Sequence, residues 1–305
     1  MTPDEIAALL ASAVRNATPL AFAALGGMFS ERSGVINIGL EGMMLMSAFA
    51  GVAGAHFSGS TITGLLVALL VGLLLGLVHA AATITFEADQ IISGTAINLL
   101  AVGGTGFLMV QLFGSGGTSP RIDRFGSIAI PGLSDLPIIG PPLFNQSALV
   151  YLLYVLVPVC YYLLFRTPFG LRLRAVGEVP EALDVAGVSV VRMRYLGVSL
   201  SGMLAGLGGA FLSMSLLSAF TENMTGGRGF IALAALIFGR WSPVRAFAAA
   251  GLFGLAQAFV FRGPGLAIPQ EFIEMFPYLL VIVALVGFGG RAVPPAALGK
   301  PYRKE

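Results

Sequence analysis

Residues 166–194 read RTPFGLRLRAVGEVPEALDVAGVSVVRMR, a basic stretch in an otherwise apolar chain. Arg166, Arg172, Arg174, Arg192 and Arg194 stand beside Glu178, Glu181 and Asp184, while the sequence on either side is suited to a bilayer. In a multi-spanning protein an arginine cluster of this kind marks the cytoplasmic face. The centre of the stretch predicts a short helix. Pro180 suits a first turn, where a missing N–H costs nothing, and Gly187 suits a left-handed stop. Two readings follow from this chemistry: a helix offered to a partner, or a tether whose arginines only set topology.

Composition extends the bilayer reading to the whole chain. Of 305 residues 56% are hydrophobic and 10% charged, with a mean hydropathy of +0.90. A soluble domain carries about 25% charged residues. The sequence is therefore that of an integral membrane protein. A net charge of +2 is too small to argue for nucleic acid, and none is expected as a partner. The single Cys160 forbids an intrachain disulfide and leaves the redox compartment open. Arg15-Asn16 interrupts the first apolar run, which reads as a retained segment rather than a signal peptide.

Apolar segments fall at 6–27, 35–56, 62–84, 90–113, 147–165, 195–219, 229–239, 244–262 and 271–289. Long continuous runs, rather than short alternations, predict helices and not barrel strands. The fold class is all-α: a polytopic transmembrane bundle of about 8–9 segments, one or more of them broken or re-entrant, forming one domain over residues 1–305. The 229–239 segment is too short to cross comfortably. Loop 166–194 and the tail 291–305 are placed in the cytoplasm, with loop 114–146 outside. Nine full spans put the N-terminus outside, and a broken early segment puts it inside; both stand. Gly72 with Gly76 and Gly202 with Gly206 are GxxxG pairs, read as helix packing.

Three polar stretches are candidate sites. In 30–42, Asn37 and Glu41 are four apart and share a face if the stretch is helical. Polar groups beside interrupted helices are what a transporter uses to meet a hydrated solute. The alternative is a turn followed by one interhelical hydrogen bond. Glu41 is read as functional because an intramembrane carboxylate is costly; Glu31 and Arg32 are read as topology and local pairing. In 87–98, Gln90, Ser93, Thr95 and Asn98 bring donors and acceptors to the fourth segment, although Ser93 and Thr95 can equally bond their own helix. In 220–230, paired glycines allow a turn that Glu222 and Arg228 would order as a gate or a plain loop. Enzyme signatures are thin. His56 and His79 are far apart, there is no HExxH and no GxxxxGK[ST], and Gly197–Gly202 lacks a supporting histidine for a serine protease. No catalytic residue, metal ligand or cofactor is assigned to this chain.

Residues 167–210 resemble the cytoplasmic loop and following span of the branched-chain amino acid and simple-sugar permease superfamily of ABC importers. The pattern there is T-x-F-G-x-x-L-R-A-V-G-x-x-x-x-A-A-x-x-x-G-I. Thr167, Phe169, Gly170, Leu173, Arg174, Ala175, Val176, Gly177, Ala182 and Gly187 match it; Leu183 and Val188 depart mildly. SERSGVINIGLEGMMLMSAF (30–49) and ENMTGGRGFIALAALIFGRWSP (222–243) are similar to the short permease of nucleoside-type importers. The resemblance implies a bacterial inner-membrane permease forming half of a translocation pathway by alternating access. It implies partners as well: ABC ATP-binding subunits holding ATP and Mg, a second related permease, and an extracytoplasmic substrate-binding lipoprotein. It assigns Gly177, Glu178, Pro180, Glu181, Ala182, Asp184 and Gly187 to coupling with the ATPase. Asn37, Glu41, Gln90, Ser93, Thr95 and Asn98 are expected on the solute path. The rivals are a sugar or branched-chain amino acid permease and, in another class, an ion-coupled carrier with Glu41 as its ion site.

Overall fold

The computed structural model describes residues 2–260, 275, 279 and 293–303. The apolar segment predicted at 271–289 and Arg291 lie outside the described residues, apart from Met275 and Leu279. Among the described residues, seven helices are long and apolar enough to cross a membrane. They are α1 (Pro3–Arg32), α2 (Leu40–Ser58), α3 (Thr61–Ala80, continued by one π-helical turn to Thr85), α4 (Gln90–Phe113), α6 (Ala148–Arg166), α9 (Val190–Phe211, continued to Leu216) and α11 (Pro243–Val260). Shorter helices are α5 (Gly140–Phe144), α7 (Pro168–Glu178), α8 (Pro180–Val185) and α10 (Arg228–Phe238).

Local chemistry sets most of the helix starts. Thr2 and Glu5 close a capping box on α1, with Pro3 in its first turn. Asp89 accepts from the amides of Ile91 and Ile92 at the head of α4, and Ser189 caps α9. Helices α2 and α10 differ: each starts from a glycine, Gly39 and Gly227, that offers no side-chain cap.

Helices α1, α2 and α9 form the buried centre, and α3 and α4 lie outside it with most of their surface exposed. The GxxxG pairs meet one another. A Cβ on Gly72 or on Gly202 would overlap the other's carbonyl oxygen, so only glycine allows the approach of α3 to α9. Side chains of α1, α2, α9, α10 and α11 share one apolar core that includes Phe22, Phe29, Met44, Leu236 and Phe253.

The two ends of the bundle are distinct. At one, the 166–190 connection folds as α7 and α8. Residues 295–303 strap across this end: the Ala297 N–H donates to Gly177 O (2.8 Å), the Gly299 N–H to Gly34 O (3.0 Å), and Arg303 makes a bidentate ion pair with Glu87. Helix α1 ends here, where Arg32 donates to Trp241 O, so its start lies at the other end. At that other end, β1 (Ser127–Ala129) and β2 (Asn145–Ser147) pair antiparallel, within the 114–147 connection.

Three expectations change. The run 35–56 is helical only from Leu40, so Asn37 lies in the non-helical stretch before α2 and does not share a helix face with Glu41. The 166–194 stretch carries two helices rather than one. Arg194, expected in water, is 2% exposed inside the first turns of α9, where its guanidinium donates to Lys300 O.

Candidate functional site

Residues 33–39 cannot continue α1, and their backbone groups must be satisfied inside the bundle. The polar side chains of neighbouring helices do this. Gln90 Oε1 accepts from the Ile36 N–H at 2.7 Å, and His79 Nε2 contacts Ile36 O at 2.9 Å. The other imidazole nitrogen lies 2.9 Å from Ser93 Oγ. Asn98 Nδ2 donates to Ile38 O at 3.1 Å while its Oδ1 accepts from the Gly42 N–H at 2.7 Å, a cap supplied to α2 by α4. That cap needs close contact, and a Cβ at Gly42 would come 2.7 Å from Ile97 O.

The second uncapped helix is answered from α2. Glu41, 7% exposed, accepts from the Gly227 N–H through Oε1 at 2.7 Å and from the Gly229 N–H through Oε2 at 2.6 Å. A carboxylate at a helix N-terminus meets both unpaired amides and the positive end of the dipole. Gly227 holds φ +82°, a conformation that glycine adopts freely. Helix α10 spans only 11 residues, from Glu41 to the Glu31 and Arg32 end of α1, where Glu31 accepts from the Trp241 indole N–H at 2.6 Å. The start of α2 and the start of α10 thus meet inside the bundle, the arrangement in which discontinuous helices build transport sites.

Of the six expected pathway residues, Asn37, Glu41, Gln90, Ser93 and Asn98 gather around this interruption. Thr95 does not: it is exposed, and its hydroxyl bonds back to Ile91 O. Asn37 is fully buried and donates to Ser201 Oγ at 2.9 Å, while its Oδ1 has no partner. Thr225 Oγ1, two residues before the α10 cap, is likewise buried and unpaired. Sequence reasoning passed over His79 and Ser201 as members of this network. The signal for both was the same, a polar residue inside an apolar run with no local partner. Among the described residues no group of three His, Cys, Asp or Glu is placed to hold a metal.

At the basic end, Gly177 and Pro180 are buried and serve packing: a Cβ on Gly177 would overlap Arg32 O. Glu178, Glu181, Ala182 and Gly187 are exposed and Asp184 half-buried; Gly187 takes φ +78° as expected. Val185 on α8 is 90% exposed, an apolar tip projecting from a helix anchored on its other face. Nearby, the hydrogen bonds from Arg303 hold the Glu87 carboxyl below the ordinary carboxylate range.

Comparison with known proteins agrees with this architecture. The guanosine ABC transporter permease protein NupQ of Bacillus subtilis is 45% identical over 94% of this chain and 94% of its own length. The nucleoside ABC transporter permease protein NupC of Lactococcus lactis is 40% identical over 97% of each. A putative glucose ABC transporter permease protein, TsgC13 of Haloferax volcanii, is 40% identical over 98% of each. The model of the family described as branched-chain amino acid transport system / permease component matches residues 9–285, which takes in every described membrane helix except the first turns of α1, and also α10. With seven apolar helices long enough to cross a membrane among the described residues, and with α2 and the shorter α10 both beginning inside the bundle, the chain belongs to this family of multi-pass membrane permeases.

Proposed function

We propose that this chain is the permease subunit of an ATP-driven importer and forms half of a pathway for a nucleoside or related solute. The observation that carries the solute class is the state of the two helix starts. In a transporter such starts commonly face an anionic group of the solute, but here Glu41 already occupies the α10 amides. Among the unpaired buried oxygens beside these starts, Asn37 Oδ1 is a neutral acceptor and the Thr225 hydroxyl a neutral group that can accept or donate. A neutral solute rich in N–H and O–H donors suits them, as a nucleoside does. The names of the two nucleoside-type relatives support the same class.

In this reading the arginine-rich end faces the cytoplasm, and α8 seats in an ATP-binding subunit, with Val185 entering an apolar socket. ATP and Mg are held there, not on this chain. A second related permease completes the pathway, and an extracytoplasmic lipoprotein delivers the solute to the end carrying β1 and β2. Alternating access then re-packs α2 and α10 around their shared start. The glucose-type relative supports a second reading, a sugar as the solute, since sugars also offer only neutral hydroxyls. An ion-coupled carrier suits the site less well, because both Glu41 oxygens are engaged by backbone amides.

The complex reconstituted in vesicles tests this. ATP-dependent uptake of labelled guanosine, competed by nucleosides and not by glucose, is the expected result. Uptake that needs a proton gradient at constant ATP would overturn the importer assignment, and competition by glucose alone would replace the solute class.

A further inference from the structure

The end of the bundle that carries β1 and β2 holds a polar crevice of about 250 Å³ lined by Arg15, Arg124, Ser127, Gln146 and Ser147, with Phe211 among its apolar walls. No Asp or Glu lines it. Neither arginine has a hydrogen-bond or ion-pair partner among the described residues. Ser147 is 8% exposed and its hydroxyl is unpaired. It is also the N-cap residue of α6, yet its side chain makes no capping bond. The 19-residue α6 therefore begins at the wall of this crevice, which places the positive end of its dipole beside it.

Depth in the membrane narrows the ligand. Arg15 precedes Arg32 by 17 positions on one helix, about 26 Å along the axis. A hydrocarbon core is about 30 Å thick, so with Arg32 at one interface Arg15 lies within about 4 Å of the other, in reach of lipid headgroups through its long side chain. Tyr151 and Tyr154, in the first two turns of α6, are the residue type that marks this level. Along the same helix Leu152, Val155 and Val159 are exposed apolar side chains.

We propose that this crevice binds a phosphate-type oxyanion, supplied by an anionic phospholipid headgroup or by free inorganic phosphate. Donors converge from three separate elements: Arg15 on α1, Arg124 before β1, and the Ser147 hydroxyl at the head of α6. A tetrahedral ion offers oxygens to all three, whereas a carboxylate offers only two, in one plane. This site is separate from the interrupted helices and does not depend on which solute is carried.

Native mass spectrometry on the purified complex, with added phosphatidylglycerol or phosphatidylcholine, tests the site. Wild type is expected to retain phosphatidylglycerol selectively. Arg124→Gln is expected to weaken that retention roughly tenfold, the effect of losing one charge-assisted contact. This variant lies on an exposed stretch and keeps the test valid should Arg15→Gln or Ser147→Ala fold poorly. Displacement of the lipid by millimolar inorganic phosphate, lost in Arg124→Gln, would identify the free ion as a source for the same site. Equal retention of both lipids with no effect of phosphate, or unchanged phosphatidylglycerol retention in Arg124→Gln, would overturn the proposal. So would loss of a protein partner's affinity in Arg124→Gln while lipid retention stays the same, which would assign the crevice to an acidic side chain of that partner.

Discussion

Replacing Glu41 tests the meeting of the two interrupted helices. Its carboxylate accepts one hydrogen bond on each oxygen, from the N–H groups of Gly227 and Gly229. In Glu41→Ala both amides lose their partner in a buried site, at about 1–3 kcal/mol each. The α10 dipole also loses its counter-charge, worth about 0.3–2 kcal/mol. A loss of about 2–8 kcal/mol follows, large against a typical net stability of about 5–15 kcal/mol. Glu41→Gln keeps the size but turns one acceptor into an N–H donor facing a backbone N–H, at about 2–4 kcal/mol. The Gln variant is therefore not a neutral change, as size and polarity alone suggest. Thermal unfolding of the purified complex, followed by a buried-thiol dye on Cys160, should show midpoints falling in the order wild type, Gln, Ala, with the Gln shift on the order of 5 °C. ATP-dependent uptake should fall in the same order. An Ala variant that melts and transports like wild type would refute the capping argument.

Ala182 is the third residue of α8, where a missing N–H costs little, so Ala182→Pro should leave substrate-stimulated ATP hydrolysis nearly intact. Asp184→Pro, beyond the first-turn positions, should cost about 3 kcal/mol locally and abolish stimulation while the chain still inserts; equal turnover for the two would remove α8 from coupling. Asn98→Ala strips the cap from Gly42 and the bond to Ile38 and should lower stability by about 2–4 kcal/mol, whereas Thr95→Ala should be silent in melting and uptake. A damaging Thr95→Ala would restore that residue to the pathway. The Glu87 carboxyl is held low by Arg303, so the contribution of this pair is complete above the ordinary carboxylate range and is lost as pH falls through the depressed value. The protection factor of the Gly299 amide, which bonds Gly34 O, corrected for the pH dependence of intrinsic exchange, should fall on acidification in wild type and be lower and independent of this titration in Glu87→Gln.

The apolar runs, the charge deficit and the arginine cluster of 166–194 determined by themselves that the chain is a helical membrane protein and where most spans fall, and the motif residues of 167–210, 30–49 and 222–243 carried the family resemblance. These are one-dimensional signals, because a helix satisfies its own backbone and shows its need for lipid in its own residues. Gly72, Gly76, Gly202 and Gly206 were legible as packing residues for the same reason, though not that the two pairs face each other. The interrupted segments were only half legible. Gly34, Gly39 and Gly42 announced a weak helix, but an Asn37–Glu41 spacing read as helical put both residues on one face, and the tertiary structure separated them. What Glu41, Asn98 and His79 do was decided by residues 186, 56 and 43 positions away in sequence. A buried polar group in lipid must find a partner, but which of several distant groups it meets depends on how the helices pack. Helix packing in lipid rests on close backbone contact and mutual hydrogen bonding, and both exist only once the bundle has assembled.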